Sequence, residues 1–321
     1  MSALHKKFPG VEVGGSSSMK SSNIGGQAVM EGVMMRNADK YAVAVRKTDG
    51  EIVVKTEEYK GIVQNKKIRS LPIIRGVFSF IDSMVLGMST LTYSASFFMD
   101  EEEEEKDEKK ESVMMGLTIA CSVVMAVAIF MILPYFLSQL FRKVTDSTTL
   151  ITLLEGAVRL VIFFGYILLI SRMKDIQRVF MYHGAEHKCI NCIEHGMELN
   201  VENVLKSSRL HKRCGTSFLF IVMIVSIIFF LFIRIEFPIW RVVFRLLLIP
   251  VIAGVSFEFI RLAGKSENKL VIFLSKPGMM LQKLTTREPD ASMAEVAIAS
   301  VEAVFDWRAY LKENFGWQEK V

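Results

Sequence analysis

The chain has 321 residues, of which 51% are hydrophobic, with 23 Phe and 19 Met and a mean hydropathy of +0.34. That is too apolar for an ordinary soluble domain and argues against intrinsic disorder. The net charge of +5 comes from scattered basic residues, so no nucleic-acid footprint is expected. The N-terminus lacks the apolar core of a cleaved leader.

In chain order, residues 1–24 are Gly/Ser-rich and read as a disordered start. Residues 25–68 form a small β-containing region, in which YAVAVRK (41–47) and EIVVKTE (51–57) flank a TDG turn and predict a hairpin. Residues 69–99 are apolar but carry Arg75 and Asp82, which suits an interfacial or re-entrant helix better than a crossing. Residues 100–111 hold nine acidic and three basic residues and read as a solvated linker.

Residues 112–263 are expected to hold four spans, at 112–137, 150–170, 216–233 and 238–263, each long enough for a hydrocarbon core of about 30 Å. Glu155 and Arg159 lie one helical turn apart inside the second span and are expected to pair. Lys and Arg number thirteen before residue 100, eight in the 171–215 connection and eight after residue 263. The positive-inside rule then places both termini and that connection in the cytoplasm, in a multi-pass protein of the cell membrane. The tail, 264–321, is helical: one helix over 265–275 stopped by Pro277-Gly278, then another opened by a capping box of Ser292 and Glu295. In the latter, Val296, Val301, Val304 and Phe305 supply a face to dock. The fold class is mainly α and polytopic, with a small β region and a helical tail.

Four of the five histidines fall within 183–211. His183, Glu186 and His187 form H-x-x-E-H: histidines four apart on a helix share a face and can share a divalent metal, zinc by preference. The intervening Glu186 can then deprotonate a bound water. A second reading joins Cys189-x-x-Cys192 to His211-x-x-Cys214 as a closed structural site, the two pairs being separated by eighteen residues. A third combines His183, His187 and His211 with Cys214. The plain structural reading is that the histidines only form hydrogen bonds near the membrane surface. Glu258 on the last span is a candidate third ligand, or else a partner of Arg261. Gln27, Glu31 and Arg36 stand in a motif whose paired glycines, Gly25 and Gly26, suggest close backbone approach. Joining the hairpin to the membrane surface is the favoured role for that motif, ahead of a direct role in a site.

GGQAVMEGVMMR (25–36), YHGAEHK (182–188), RLHKRCGTSF (209–218) and TTREPD (285–290) together resemble the YqhQ-like family of bacterial membrane proteins. Their function is unassigned and metal-dependent catalysis is the expectation for them. The likeness runs from residue 24 to about 300. It implies a metal site drawn from His183, Glu186, His187, His211 and Cys214, with Lys212 standing where proline is common, and it leaves Cys189 and Cys192 outside the motif. Two functions are open at this stage. One is a metal-dependent hydrolase using Glu186 as base. The other is a non-catalytic scaffold or chaperone-like partner of other membrane proteins, with a structural metal or none.

Overall fold

The computed structural model describes residues 19–98, 108–233, 235, 237–265 and 268–318. Most of the expected disordered start and acidic linker, at 1–18 and 99–107, lies outside the described residues. Residues 19–24 pack down: Ile24 is buried and Ser22 is hydrogen-bonded to Glu194. Residues 108–111, expected in the linker, already belong to a helix.

Four antiparallel strands, β1 (Gly25–Val29), β2 (Gly32–Asn37), β3 (Lys40–Arg46) and β4 (Ile52–Glu58), form a meander in chain order. The expected hairpin is β3–β4, paired from Arg46↔Ile52 to Lys40↔Glu58. The hairpin β1–β2 was not foreseen. Its turn places Glu31 at φ +49°, a left-handed conformation that costs a non-glycine residue about 1 kcal/mol or more. Both faces of β2 and β3 are covered, which erases the polar–apolar alternation that marks a half-exposed strand. Val33, Met35, Ala42 and Ala44 enter one apolar cluster, whereas Met34, Tyr41, Val43 and Val45 enter another.

The helices are α1 (Lys66–Ser70), α2 (Ile74–Ser96), α3 (Glu108–Val127), α4 (Leu133–Gln139), α5 (Thr148–Ile170), α6 (Lys174–Glu194), α7 (Val201–Lys206), α8 (Gly215–Phe232), α9 (Pro238–Lys265), α10 (Lys269–Thr285), α11 (Ala291–Val304) and α12 (Trp307–Phe315). A π-helical turn, Ala128–Ile132, joins α3 to α4. Five helical rods are long and apolar enough to cross a membrane, at Ile74–Ser96, Gly116–Lys143, Thr148–Ile170, Gly215–Phe232 and Ile239–Ala263. By length and composition alone, α2 qualifies alongside the four spans expected.

The bundle shows how polar groups are satisfied away from water. Pro134 has no N–H, so the carbonyl four residues earlier, Phe130, loses its helical donor. Arg159 supplies one instead, its Nε lying 2.9 Å from that oxygen. Arg159 also meets Glu155 at 2.9 Å, as the sequence predicts. Arg245 joins the same carboxylate, a contact between α9 and α5 that spacing does not reveal.

Two expectations about the tail are corrected. Pro277-Gly278 does not stop a helix: α10 continues through Pro277 to Thr285. Gly278 instead lets α10 lie close to Ser217 of α8. Nor does Ser292 cap α11. Asp290 does, accepting from the Met293 amide at 2.9 Å, and Glu295 reaches across to Arg46 at 2.8 Å. The expected docking face holds: Val296, Val301 and Val304 are buried in the cluster that also contains β2, β3 and α6, with Phe305 packed against it.

Candidate metal centre

His183 and His187 stand one turn apart on α6, so their rings project together, with centroids 4.4 Å apart. Cys214 enters from a different segment, where it is the N-terminal cap of α8. Its Sγ lies 3.3 Å from His183 Nε2. One ligand atom from each of His183, His187 and Cys214 falls within 4.8 Å of the others. Zinc bonds of about 2.3 Å to sulfur and about 2.0–2.1 Å to nitrogen place tetrahedral S and N ligands roughly 3.5 Å apart, so this trio fits such an ion.

Backbone carbonyls set the tautomers. His183 Nδ1 lies 2.9 Å from the Thr285 carbonyl oxygen and His187 Nδ1 lies 2.6 Å from that of Arg209. Each Nδ1–H donates to its carbonyl, which leaves Nε2 of each ring turned toward Cys214. Such outer contacts are what orient imidazoles for metal binding. The buried Glu186 places Oε2 3.4 Å from His187 Nε2 and 3.9 Å from His183 Nε2.

Burial disfavours charge here, yet the cluster's own charges outweigh it. Burial pushes His187 down, but Glu186 and Cys214 lift it to about 9. His183 is raised against burial chiefly by Cys214. Burial raises the Cys214 thiol, and the two imidazoles nevertheless hold it well below the ordinary thiol range. Each shift favours the charged form of its group, and a bound cation would compete with the imidazole protons for these Nε2 atoms and the sulfur.

The four motifs converge because two glycines permit it. A Cβ on Gly26 would stand 2.8 Å from Glu186 Cγ and 2.6 Å from the Met34 carbonyl oxygen, so β1 forms a wall behind Glu186. A Cβ on Gly184 would stand 2.0 Å from the Arg287 carbonyl oxygen. Only glycine lets residues 285–290 lie against α6 and present the Thr285 carbonyl to His183. On α6, Lys188 donates to the Leu205 and Ser207 carbonyls, both at 2.7 Å. Asn191 does the same for Ser208 and Leu210, fixing the loop that carries Arg209.

The other candidates sit elsewhere. His211 lies beside His187, ring centroids 5.7 Å apart, but its Nε2 faces Glu194 at 3.3 Å and Gln282 holds its backbone on both sides. Cys189 and Cys192 are buried in the apolar core on the opposite side of α6. Burial raises the Cys189 thiol well above its usual range and Cys192 to about 12. The closed site built from both cysteine pairs is therefore not assembled. Glu258 pairs with Arg75 at 2.6 Å, where Arg261 was the partner expected. Glu31 receives a two-pronged contact from Arg178, which ties the strained β1–β2 turn to α6. Gln27 lies over Gly87 of α2, and Arg36 donates to the Ala38 carbonyl.

Sequence reasoning missed Glu194, although it ends the same helix. It accepts from the Ser22 amide at 2.7 Å and meets His211 and Arg213. Burial pushes its pKa up, but the His211 hydrogen bond and the Arg213 charge lower it to about 2. The resulting stability is complete above the unfolded pKa near 4.5 and disappears as pH falls toward 2. It amounts to roughly 3 kcal/mol. Thermal unfolding in detergent should show Glu194→Gln less stable than wild type at pH 7, with the gap narrowing below about pH 4.5 and closing only as pH approaches 2. A gap of constant size across that range would show that the carboxylate charge is not what matters.

The fold and site define a multi-pass membrane protein in which two imidazoles, a thiol and a carboxylate meet beside the apolar bundle. Residues 71–307 match the family described as "Protein of unknown function (DUF1385)". The chain is 36% identical over 301 residues to the uncharacterized protein YqhQ of Bacillus subtilis (strain 168), covering 90% of this chain and 94% of that protein. The chain belongs to this YqhQ-like family. No solved structure matches it. The matched region includes three of the four motifs that meet at the centre; the β1–β2 hairpin precedes it.

Proposed function

We propose that this protein is a membrane-embedded, metal-dependent hydrolase, with His183, His187 and Cys214 as ligands of a zinc-like divalent ion and Glu186 as general base. The observation that carries this reading is the convergence of two oriented Nε2 atoms and a thiol next to a buried carboxylate. Three protein ligands leave a fourth position for water, which a bound divalent metal acidifies to a pKa of about 7. Glu186, with Oε2 near both Nε2 atoms, would serve as the general base and acid of such a site.

Packing supports four crossings with the centre in the cytoplasm. The sheet, α6 and α11 share one apolar core and so occupy one side of a bilayer. The α3–α4 rod with α5 makes two crossings before α6, and α8 with α9 makes two after it. An even count on each side leaves α2 non-crossing, consistent with Leu86 packing among sheet residues. The basic residues on that side point to the cytoplasm.

A structural metal in a scaffold is favoured by one observation. At 3.4 Å from His187 Nε2, Glu186 is near enough to close the fourth position itself. Replacing Glu186 with Gln separates the two readings. In full-length protein purified without chelators, wild type should carry about one metal per chain by elemental analysis, and His187→Ala and Cys214→Ser should lose it. An enzyme with Glu186→Gln should keep metal and abundance but fail to complement a deletion strain, since a positioned base contributes about 10²–10⁴-fold. Normal complementation by that variant would end the hydrolase reading. Metal-free wild-type protein would end the hydrolase and structural-metal readings and leave the scaffold without a metal.

A further inference from the structure

Beside the centre lies a cavity of about 490 Å³ whose lining includes Arg209, Lys283 and Arg287 and a single carboxylate, Glu288. That size suits a small ligand or a lipid headgroup. Its position relative to the bundle is fixed by Ser171, which lines it and is also the C-terminal cap of α5. Met181 and Leu284 give it an apolar margin, and Leu284 packs with the cluster formed by α5 and α8.

The cationic side chains differ in what already occupies them. Arg209 is held by Glu288 at 3.3 Å and donates to the Thr286 carbonyl. Arg287 uses one Nη on the Ser171 carbonyl at 3.0 Å. Glu288 is further shared with the buried Lys188 at 2.9 Å. Lys283 makes no hydrogen bond or ion pair among the described residues, although it lines the same cavity. Two guanidinium groups and a free ammonium around one already-shared carboxylate leave the cavity short of negative charge. Arginine forks match phosphate oxygens, and lysine adds a compact charge.

We propose that this cavity binds the phosphate of an anionic phospholipid at the membrane surface. The charge deficit selects an anion, the span terminus places it at headgroup level, and the apolar margin suits the glycerol and upper acyl chain. The proposal goes beyond the hydrolase reading and does not need a metal. The two sites are nonetheless mechanically joined. Arg209 carries the carbonyl that holds His187, and Thr286 follows the residue whose carbonyl holds His183.

The test uses full-length protein in a neutral detergent and short-chain phosphatidylglycerol, phosphatidylcholine and inorganic phosphate as three separate probes of binding. Phosphatidylglycerol should bind saturably and about tenfold more tightly than phosphatidylcholine. Lys283→Gln should weaken it about fivefold, the contribution of one basic residue at an anionic surface, and Lys283→Glu should weaken it further. Because Lys283 is exposed and unpaired among the described residues, both variants should unfold at the wild-type temperature without lipid. Treatment with a chelator should leave lipid binding intact, so loss of the metal reading would not remove this one. Equal affinity for the two lipids would overturn the proposal, as would unaltered phosphatidylglycerol binding by Lys283→Glu. Inorganic phosphate binding as tightly as phosphatidylglycerol would reassign the cavity to a free anion and overturn the lipid source.

Discussion

Replacing Glu155 with Gln should cost about 3–5 kcal/mol, because it strands two buried guanidinium groups that share one carboxylate. Arg159 and Arg245 both reach Glu155, at 2.9 Å in the longer contacts, and all three side chains are buried. Water cannot take over the solvation of a charge at this depth in the bundle. What remains after the substitution is a pair of cations facing the Phe230 ring, with centroid distances of 5.2 and 4.5 Å. Those ring contacts, about 2 kcal/mol each when desolvated, are already present with Glu155 in place and so do not offset the lost counter-charge. Arg245→Gln should be milder. It leaves Glu155 and Arg159 as a one-to-one pair, with Arg159 still donating to the Phe130 carbonyl. Thermal unfolding in detergent, with steady-state abundance in membranes, measures both variants. Equal losses would mean that the excess positive charge is irrelevant and that the cluster contributes only packing.

The Glu155–Arg159 contact was legible because it is local: four residues on a helix fix both side chains on one face. Arg245 was not, since nothing in spacing says which face of α9 meets α5. The same boundary runs through the candidate metal centre. His183, Glu186 and His187 could be read as a group from their helical spacing alone. Cys214 could be named as a candidate from its place in a motif, but not separated from His211 three residues earlier. The structure separates them through Gln282 and Glu194, which hold His211 from distant parts of the chain. Cys189 could have been excluded by geometry: at 100° per residue it lies about 200° around the helix from His187. The hairpin β1–β2 escaped notice because β2 is covered on both faces and β1 begins with two glycines. Gly26 was legible as a site of close approach, whereas its neighbour, Glu186, was not.

Gly184→Ala should destabilise the protein and reduce its metal content, although alanine is the better helix former. Intrinsic propensity favours alanine by about 0.8–1.0 kcal/mol in a helix interior, so propensity alone predicts a more stable protein. Packing predicts the reverse. The new methyl carbon would fall 2.0 Å from the Arg287 carbonyl oxygen, which is backbone and cannot swing aside as a side chain would. That segment is also pinned, since the Arg287 amide donates to the Phe180 carbonyl at 2.8 Å and Pro289 lies 3.4 Å from the same added carbon. Relief therefore requires residues 285–289 to move away from α6 together. Overpacking of this kind costs about 1–3 kcal/mol or more, enough to reverse the propensity gain. The movement would withdraw the Thr285 carbonyl from His183 Nδ1, now 2.9 Å away, and free that imidazole to rotate off the trio. Gly25→Ala is the control, because an added carbon there meets nothing within 4 Å, and its effect should stay within about 0.5 kcal/mol. Unfolding temperature and bound metal per chain should both fall for Gly184→Ala and stay near wild type for Gly25→Ala. A Gly184→Ala protein as stable as wild type, with full metal, would show that residues 285–290 do not hold His183 in place.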